Sequence, residues 1–106
     1  MSDLAAWELH VSARFMDDLF AIEQYMGREN PARGRAFVSA LLDFVQEILG
    51  TQPLAFPAYQ LPRYPEWQLR RAVYRKRHII LYEIKDQRVE MLVIFRADQN
   101  VADIKL

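Results

Sequence analysis

The sequence has no cysteine among its 106 residues, which excludes disulfide staples, thiolate metal sites and a cysteine nucleophile. Its three glycines, Gly27, Gly34 and Gly50, all lie in or beside helix-forming stretches, so there is no glycine-rich loop to cradle a phosphate. The two histidines, His10 and His78, form no pair with metal-ligand spacing. No apolar run approaches the roughly 18 residues of a spanning helix. The stretch from Met1 to Glu8 lacks the basic start and apolar run of a secretory signal. The expectation is a cytoplasmic protein, away from membranes, with no cofactor and no metal.

The totals place the chain among ordinary globular proteins. It is 52% hydrophobic and 26% charged, and its length fits one domain spanning residues 1–106. The formal net charge of zero conceals a division along the chain. Residues 1–62 carry four arginines against eight acids, whereas residues 63–96 carry nine lysines and arginines against four acids. That concentration of positive charge suits an anionic partner, either nucleic acid or an acidic protein segment.

The basic part is also the part that reads as sheet. Leu69 to Arg75, Ile79 to Ile84 and Val89 to Phe95 are rich in β-branched and aromatic residues. Lys76-Arg77-His78 closes the first run into the second, and Lys85-Asp86-Gln87-Arg88 is a polar turn of hairpin length. A three-stranded antiparallel meander follows.

Upstream, Trp7-Glu8-Leu9-His10-Val11 alternates like a short edge strand with one buried face. Ser12 is placed to cap a helix, with Asp17 and Asp18 near its positive end. Phe15, Met16, Leu19, Phe20, Ile22 and Met26 give that helix an apolar stripe ending near Gly27. Asn30-Pro31 opens a second helix, with Ala36, Phe37, Ala40, Leu41, Phe44, Val45, Ile48 and Leu49 as its stripe. Gly50 stands where a left-handed C-terminal residue is expected. A linker of about four residues folds the helices into an antiparallel hairpin. The stretch Thr51 to Pro65 holds four prolines, which argue against regular helix or central strand, and its apolar residues predict a loop packed against the core. The fold class is α+β: a short strand, then a helical hairpin on one face of a small, mainly antiparallel sheet, in the order β-α-α-β-β-β.

Ile79 to Tyr82 and Met91 to Phe95 are apolar at nearly every position, so both faces of the sheet need cover. The helical hairpin covers one. The other is expected either to bind a second chain or to be closed by the proline-rich loop with Tyr59 and Tyr64. Without metal or thiol, the available chemical tools are arginines, His78 and tyrosines. These could stabilise a phosphorane and move protons in phosphodiester cleavage.

In order and spacing, the chain from about Glu8 to Asn100 resembles the RelE/ParE superfamily of toxins from bacterial toxin–antitoxin pairs. The likeness rests on the first helix from Ser12 to Tyr25, the second after Pro31, the loop at Pro53, and the arginine-rich Arg71 to Ile84 and Arg88 to Arg96. The resemblance implies a toxin neutralised by a cognate antitoxin, with a dimer or a larger toxin–antitoxin assembly as the expected forms. It is closer to the ParE-like branch, which blocks DNA gyrase, than to the RelE-like branch, which cleaves messenger RNA on the ribosome. Where RelE-like members carry a catalytic arginine before their Leu-Val-Tyr segment, this chain has Ile79. Where many members show His-Gly-Arg-Arg, it has Arg96-Ala97-Asp98-Gln99, and no tyrosine follows Tyr82. On this reading Arg70, Arg75, Arg77 and Arg96 form the target-binding surface. The alternatives are an endonuclease using Arg77, His78 and Arg96, and a partner-binding module without toxicity.

Overall fold

In the computed structural model, which describes residues 7–106, β1 (Glu8–Val11) leads into α1 (Ala13–Met26) and α2 (Pro31–Phe44). β2 (Ala58–Leu61), β3 (Tyr64–Tyr74), β4 (His78–Lys85) and β5 (Arg88–Arg96) follow. Local chemistry starts both helices as the sequence requires. The Ser12 hydroxyl accepts the Phe15 amide at 2.9 Å, and the Asn30 side chain accepts the Ala32 amide at 3.1 Å ahead of Pro31. α2 ends in a single π-helical turn, Val45–Leu49. Gly50 is therefore right-handed, with φ −74° and ψ −13°, and not left-handed as expected. Its lack of a side chain has another cause, because a Cβ there would collide with the Gln46 carbonyl. Gly34 marks the crossing of the helices, where a Cβ would run into the Glu23 carbonyl of α1.

The sheet has the order β1-β5-β4-β3-β2, with β1 parallel to β5 and every other pair antiparallel. β3 begins five residues earlier than the apolar run suggests, and the proline-rich stretch contributes a fifth strand, β2. The prolines permit this because β2 is an edge strand lying between Pro57 and Pro62, and Pro65 stands near the start of β3, ahead of Leu69 where its pairing with β4 begins. The rest of that stretch packs down as expected: Pro53 and Leu61 are fully buried, and the buried Tyr82 hydroxyl donates to the Pro53 carbonyl at 2.6 Å. Burial pushes the Tyr82 phenol up to about 12, against the pull of the Arg70 charge, so it stays protonated.

One bulge organises the faces. Leu81 pairs with Val93 but Tyr82 pairs with Met91, which leaves Leu92 as an extra residue in β5. Before the bulge, Val89 and Met91 face the helices; after it, Ile94 does. The backbone at and beyond the bulge is tied to the start of the first helix: the Ser12 hydroxyl donates to the Leu92 carbonyl at 2.8 Å, and Asp18 accepts the Ile94 amide at 3.1 Å. Asp18 also takes Arg14 at 3.0 Å. It thus tethers a strand, and no acid lies in the first turn to serve the helix dipole.

Two apolar clusters result. Phe15, Leu19, Leu41, Val45 and Leu49 of the helical layer pack on Ala72, Tyr74, Ile80, Tyr82 and Met91. Met16 and Phe20, placed in the α1 stripe by spacing, instead lie on its outer face, 52% and 63% exposed. β1 is likewise more open than its alternation suggests, with Val11 45% exposed.

On the other face of the sheet, Leu61, Leu69, Ile79, Leu81, Val93 and Phe95 are covered from within the chain. Tyr59 and Tyr64 supply part of the cover, as one of the two expectations had it, and Val101, Ile104 and Leu106 supply the rest. That terminal segment is pinned by the Leu106 amide donating to the Tyr64 hydroxyl at 3.0 Å and by Arg14 donating to the Lys105 carbonyl. The face is therefore not left open for a second chain.

Candidate functional site

The hairpin joining β3 to β4 is the most unusual piece of backbone. Arg75 and Lys76 are both left-handed, with φ of 52° and 64°, and the Arg77 amide donates to the Tyr74 carbonyl at 3.2 Å. This is a type I′ turn, whose two central positions favour Asn-Gly because side chains are strained there. Here two long cations occupy them. The strand then resumes at His78, whose neighbour across the ladder is Arg96. The Ala97 amide donates to the Arg77 carbonyl at 2.8 Å and closes the end of the sheet.

These residues form one wall of a groove of about 1050 Å³. Ile22, Tyr25 and Met26 of α1 and Phe37 of α2 face them, and Ile94 underlies it. The Phe37 ring is the hub of the wall. Its centroid lies 5.2 Å from that of His78 and 5.8 Å from that of Tyr74. The Arg75 guanidinium sits 5.9 Å from the Phe37 centroid and 5.0 Å from the Tyr74 centroid, both within cation–π range.

Among the described residues, Arg75, Lys76 and Arg77 have no carboxylate partner. Arg96 pairs with Asp98 at 3.2 Å, both side chains being well exposed, so the pair is screened by water.

His78 is 7% exposed and its buried Nδ1 has no hydrogen-bond partner. Burial lowers its pKa below the usual 6.5, and the charges of Arg96 and Arg77 lower it further. The folded protein then binds fewer protons at His78 than the unfolded chain does. This contribution to stability is complete above about pH 6.5 and is lost as pH falls from there toward the lowered folded value. Melting temperatures measured from about pH 7.5 down to 5.5 are expected to fall less steeply in His78→Gln than in the parent; parallel slopes would show that His78 carries none of the dependence.

Arg75, Arg77, His78 and Arg96 are thus brought together, and Arg70 is not. Arg70 lies toward the far end of β3, lining a second cavity of about 600 Å³, and donates to the Phe56 carbonyl at 2.6 Å, where it pins the proline-rich loop. Sequence reasoning assigned Phe37 to the core stripe and passed over Tyr25 and Lys76 as site residues. Helical spacing cannot separate a core aromatic from one at the rim of a groove, but two bulky residues in a loop too short for relaxed backbone were a readable signal.

The fold is that of the small toxin domains of the RelE/ParE superfamily. The structure of a chromosomal ParDE toxin–antitoxin system from P. aeruginosa matches it with a TM-score of 0.71 at 17% identity, covering 89% of this chain and 99% of that one. The toxin–antitoxin complex RelBE2 from Mycobacterium tuberculosis matches with a TM-score of 0.62 at 18% identity over 93% of this chain and 100% of that one. A conserved hypothetical protein from Helicobacter pylori matches with 0.58 at 14% identity, covering 88% and 97% of the two chains. Comparison with curated proteins finds no match in sequence. The profile of the ParE toxins of type II toxin–antitoxin systems matches residues 9–101, and this chain belongs to that family.

Proposed function

We propose that this ParE-family toxin is held inactive by a cognate antitoxin and arrests growth by binding and inhibiting a target such as DNA gyrase, without cutting nucleic acid. The observation that carries the reading is the groove itself, in which Arg75, Lys76 and Arg77 stand without carboxylate partners among the described residues beside an apolar floor. Such an arrangement binds a partner with no chemistry asked of it. Ile79, at the position of the RelE-like catalytic arginine, lies in the opposite apolar cluster. The Tyr82 hydroxyl is committed to the Pro53 carbonyl and cannot move a proton in the groove.

A second reading has one observation in its favour. Arg77, His78 and Arg96 line the same groove, and a neutral imidazole between two guanidinium groups is the kind of base metal-free RNA cleavage uses. Expression of the chain in bacteria without antitoxin separates the readings. Relaxed or broken DNA with intact transcripts is expected for the gyrase-directed toxin, and co-expression of the antitoxin is expected to restore growth. Transcripts cut within codons, abolished by His78→Ala, would establish the nuclease instead. Continued growth would leave a binding module without toxicity.

A further inference from the structure

The outer surface of the helical hairpin carries three of the eight large apolar side chains that are exposed among the described residues: Met16 and Phe20 of α1 and Leu42 of α2. The crossing of the helices brings them together. Gly34 stands against the Glu23 carbonyl there, and because the helices run antiparallel, each turn back along α1 meets a turn forward along α2. Phe20 therefore lies beside Val38, and Met16 beside Leu42. The charges of the hairpin are sorted along its length. Its turn end carries Arg28, Arg33 and Arg35 against Glu29, with Glu23 half-buried at the crossing. Its open end carries Asp17, Asp43 and Glu47, while Arg14 is already paired with Asp18. On the outer face itself, Arg35, Asp17 and Asp43 are exposed and form no ion pair among the described residues.

We propose that this outer face is a self-association surface, on which a second copy of the chain docks about a two-fold axis near Phe20. Two-fold pairing asks that one patch be complementary to itself, and this patch is. Turning a copy about that axis lays the acidic open end of one hairpin over the basic turn end of the other. Arg35 of each copy then stands against Asp17 of the other, and the apolar residues between them close on their counterparts. The size of the face fixes how strong the pairing is. Each helix has 14 residues, so it is about 21 Å long, and packed helices stand about 8–10 Å apart, which gives a face of roughly 400 Å² per copy. Standard interfaces bury about 800 Å² per partner, so the dimer is weak and forms with rising concentration. Met16, Phe20, Arg35 and Leu42 do not line the groove, so an occupied groove leaves the pairing surface free.

Sedimentation equilibrium of the purified chain, from about 5 to 500 μM, is the test. The average mass is expected to rise from that of one chain toward that of two, with a dissociation constant on the order of 10–100 μM that increases with salt. Phe20→Glu is expected to stay monomeric throughout. Arg35→Asp and Asp17→Arg are each expected to weaken pairing at least tenfold, because either change sets like charges together across the axis. The two combined restore opposite charges and are expected to return the constant to within about threefold of the parent. All three positions are exposed, so circular dichroism is expected to show the parent's fold in every variant. A dimer that Phe20→Glu leaves unchanged, or a double exchange as weak as its single components, would overturn the proposal. So would a parent monomeric over the whole range, and loss of a co-expressed antitoxin from Phe20→Glu would then assign the face to that partner instead. The measurement involves no cellular target, so its failure leaves the toxin reading untouched.

Discussion

Replacing Gly34 by valine is expected to lower the unfolding free energy by about 3 kcal/mol, the upper end of the overpacking range, because what the new side chain meets is backbone. Overpacked cores usually recover part of the cost by shifting a flexible side chain. At this crossing the neighbours are the Glu23 carbonyl and the Gly27 amide of α1, which are fixed by their own helix. The Gly27 amide also donates to the Glu23 carbonyl at 3.0 Å, so displacing either loosens the end of α1. For a domain of this size each kcal/mol corresponds to about 4–8 °C, and thermal unfolding followed by circular dichroism is expected to show a drop of roughly 12–24 °C. A variant melting within about 3 °C of the parent would mean that the helices part at Gly34 without loss. The effect should reach the groove as well, since its two helical walls, Tyr25 and Phe37, lie on either side of this crossing.

Reversing charge at Arg77 and Arg96 together is expected to abolish growth inhibition and to weaken target binding at least 100-fold while leaving the fold intact. Both residues are exposed, so neither substitution removes core contacts, and surface changes of this kind move stability by about 0.5 kcal/mol or less. Binding responds more strongly, because each glutamate withdraws an attraction and adds a repulsion at the same wall; losses of about 2–5 kcal/mol are typical when a buried charge contact is broken. A second measurement reports on the same wall without the target. Arg96 and Arg77 help to hold the His78 pKa down, so Arg77→Glu with Arg96→Glu is expected to raise it, as read from the imidazole resonances during an NMR titration. Arg63→Glu, on the exposed β2–β3 turn, is the matched control and should change neither readout. Full toxicity in the folded Arg77, Arg96 variant would remove this wall from the function of the protein.

How much of this was legible beforehand follows from the range over which each feature is decided. The helix starts were readable because Ser12 and Asn30 act within three residues of themselves. The β4–β5 hairpin was readable because Asp86 and Gln87 separate two apolar runs, and the structure places Asp86 at φ 57° where the turn needs it. The need for two covers was also correct. The helical cover and the share of Tyr59 and Tyr64 in the second were foreseen; the rest of the second was not, since Val101, Ile104 and Leu106 are too few and too scattered to announce a covering segment until the sheet exists for them to lie on. Arg70 and Arg75 look alike in the sequence. What separates them is the loop from Leu54 to Phe56, whose carbonyl captures Arg70 and leaves it unlike the open cations of the turn.

The sequence by itself determined the helices, the hairpins, the basic character of the strands and the family, because these depend on local periodicity, capping and order along the chain. The tertiary structure decided which cations meet. Strict alternation would carry Met91, Val93 and Phe95 to one face and turn Arg96 to the other. The extra residue at Leu92 reverses that parity and brings Arg96 onto the helical face beside His78. A one-residue offset of this kind leaves no trace in a pattern of apolar residues. It is stable because the Leu92 carbonyl is met by Ser12, 80 positions away in the chain, and the Ile94 amide by Asp18.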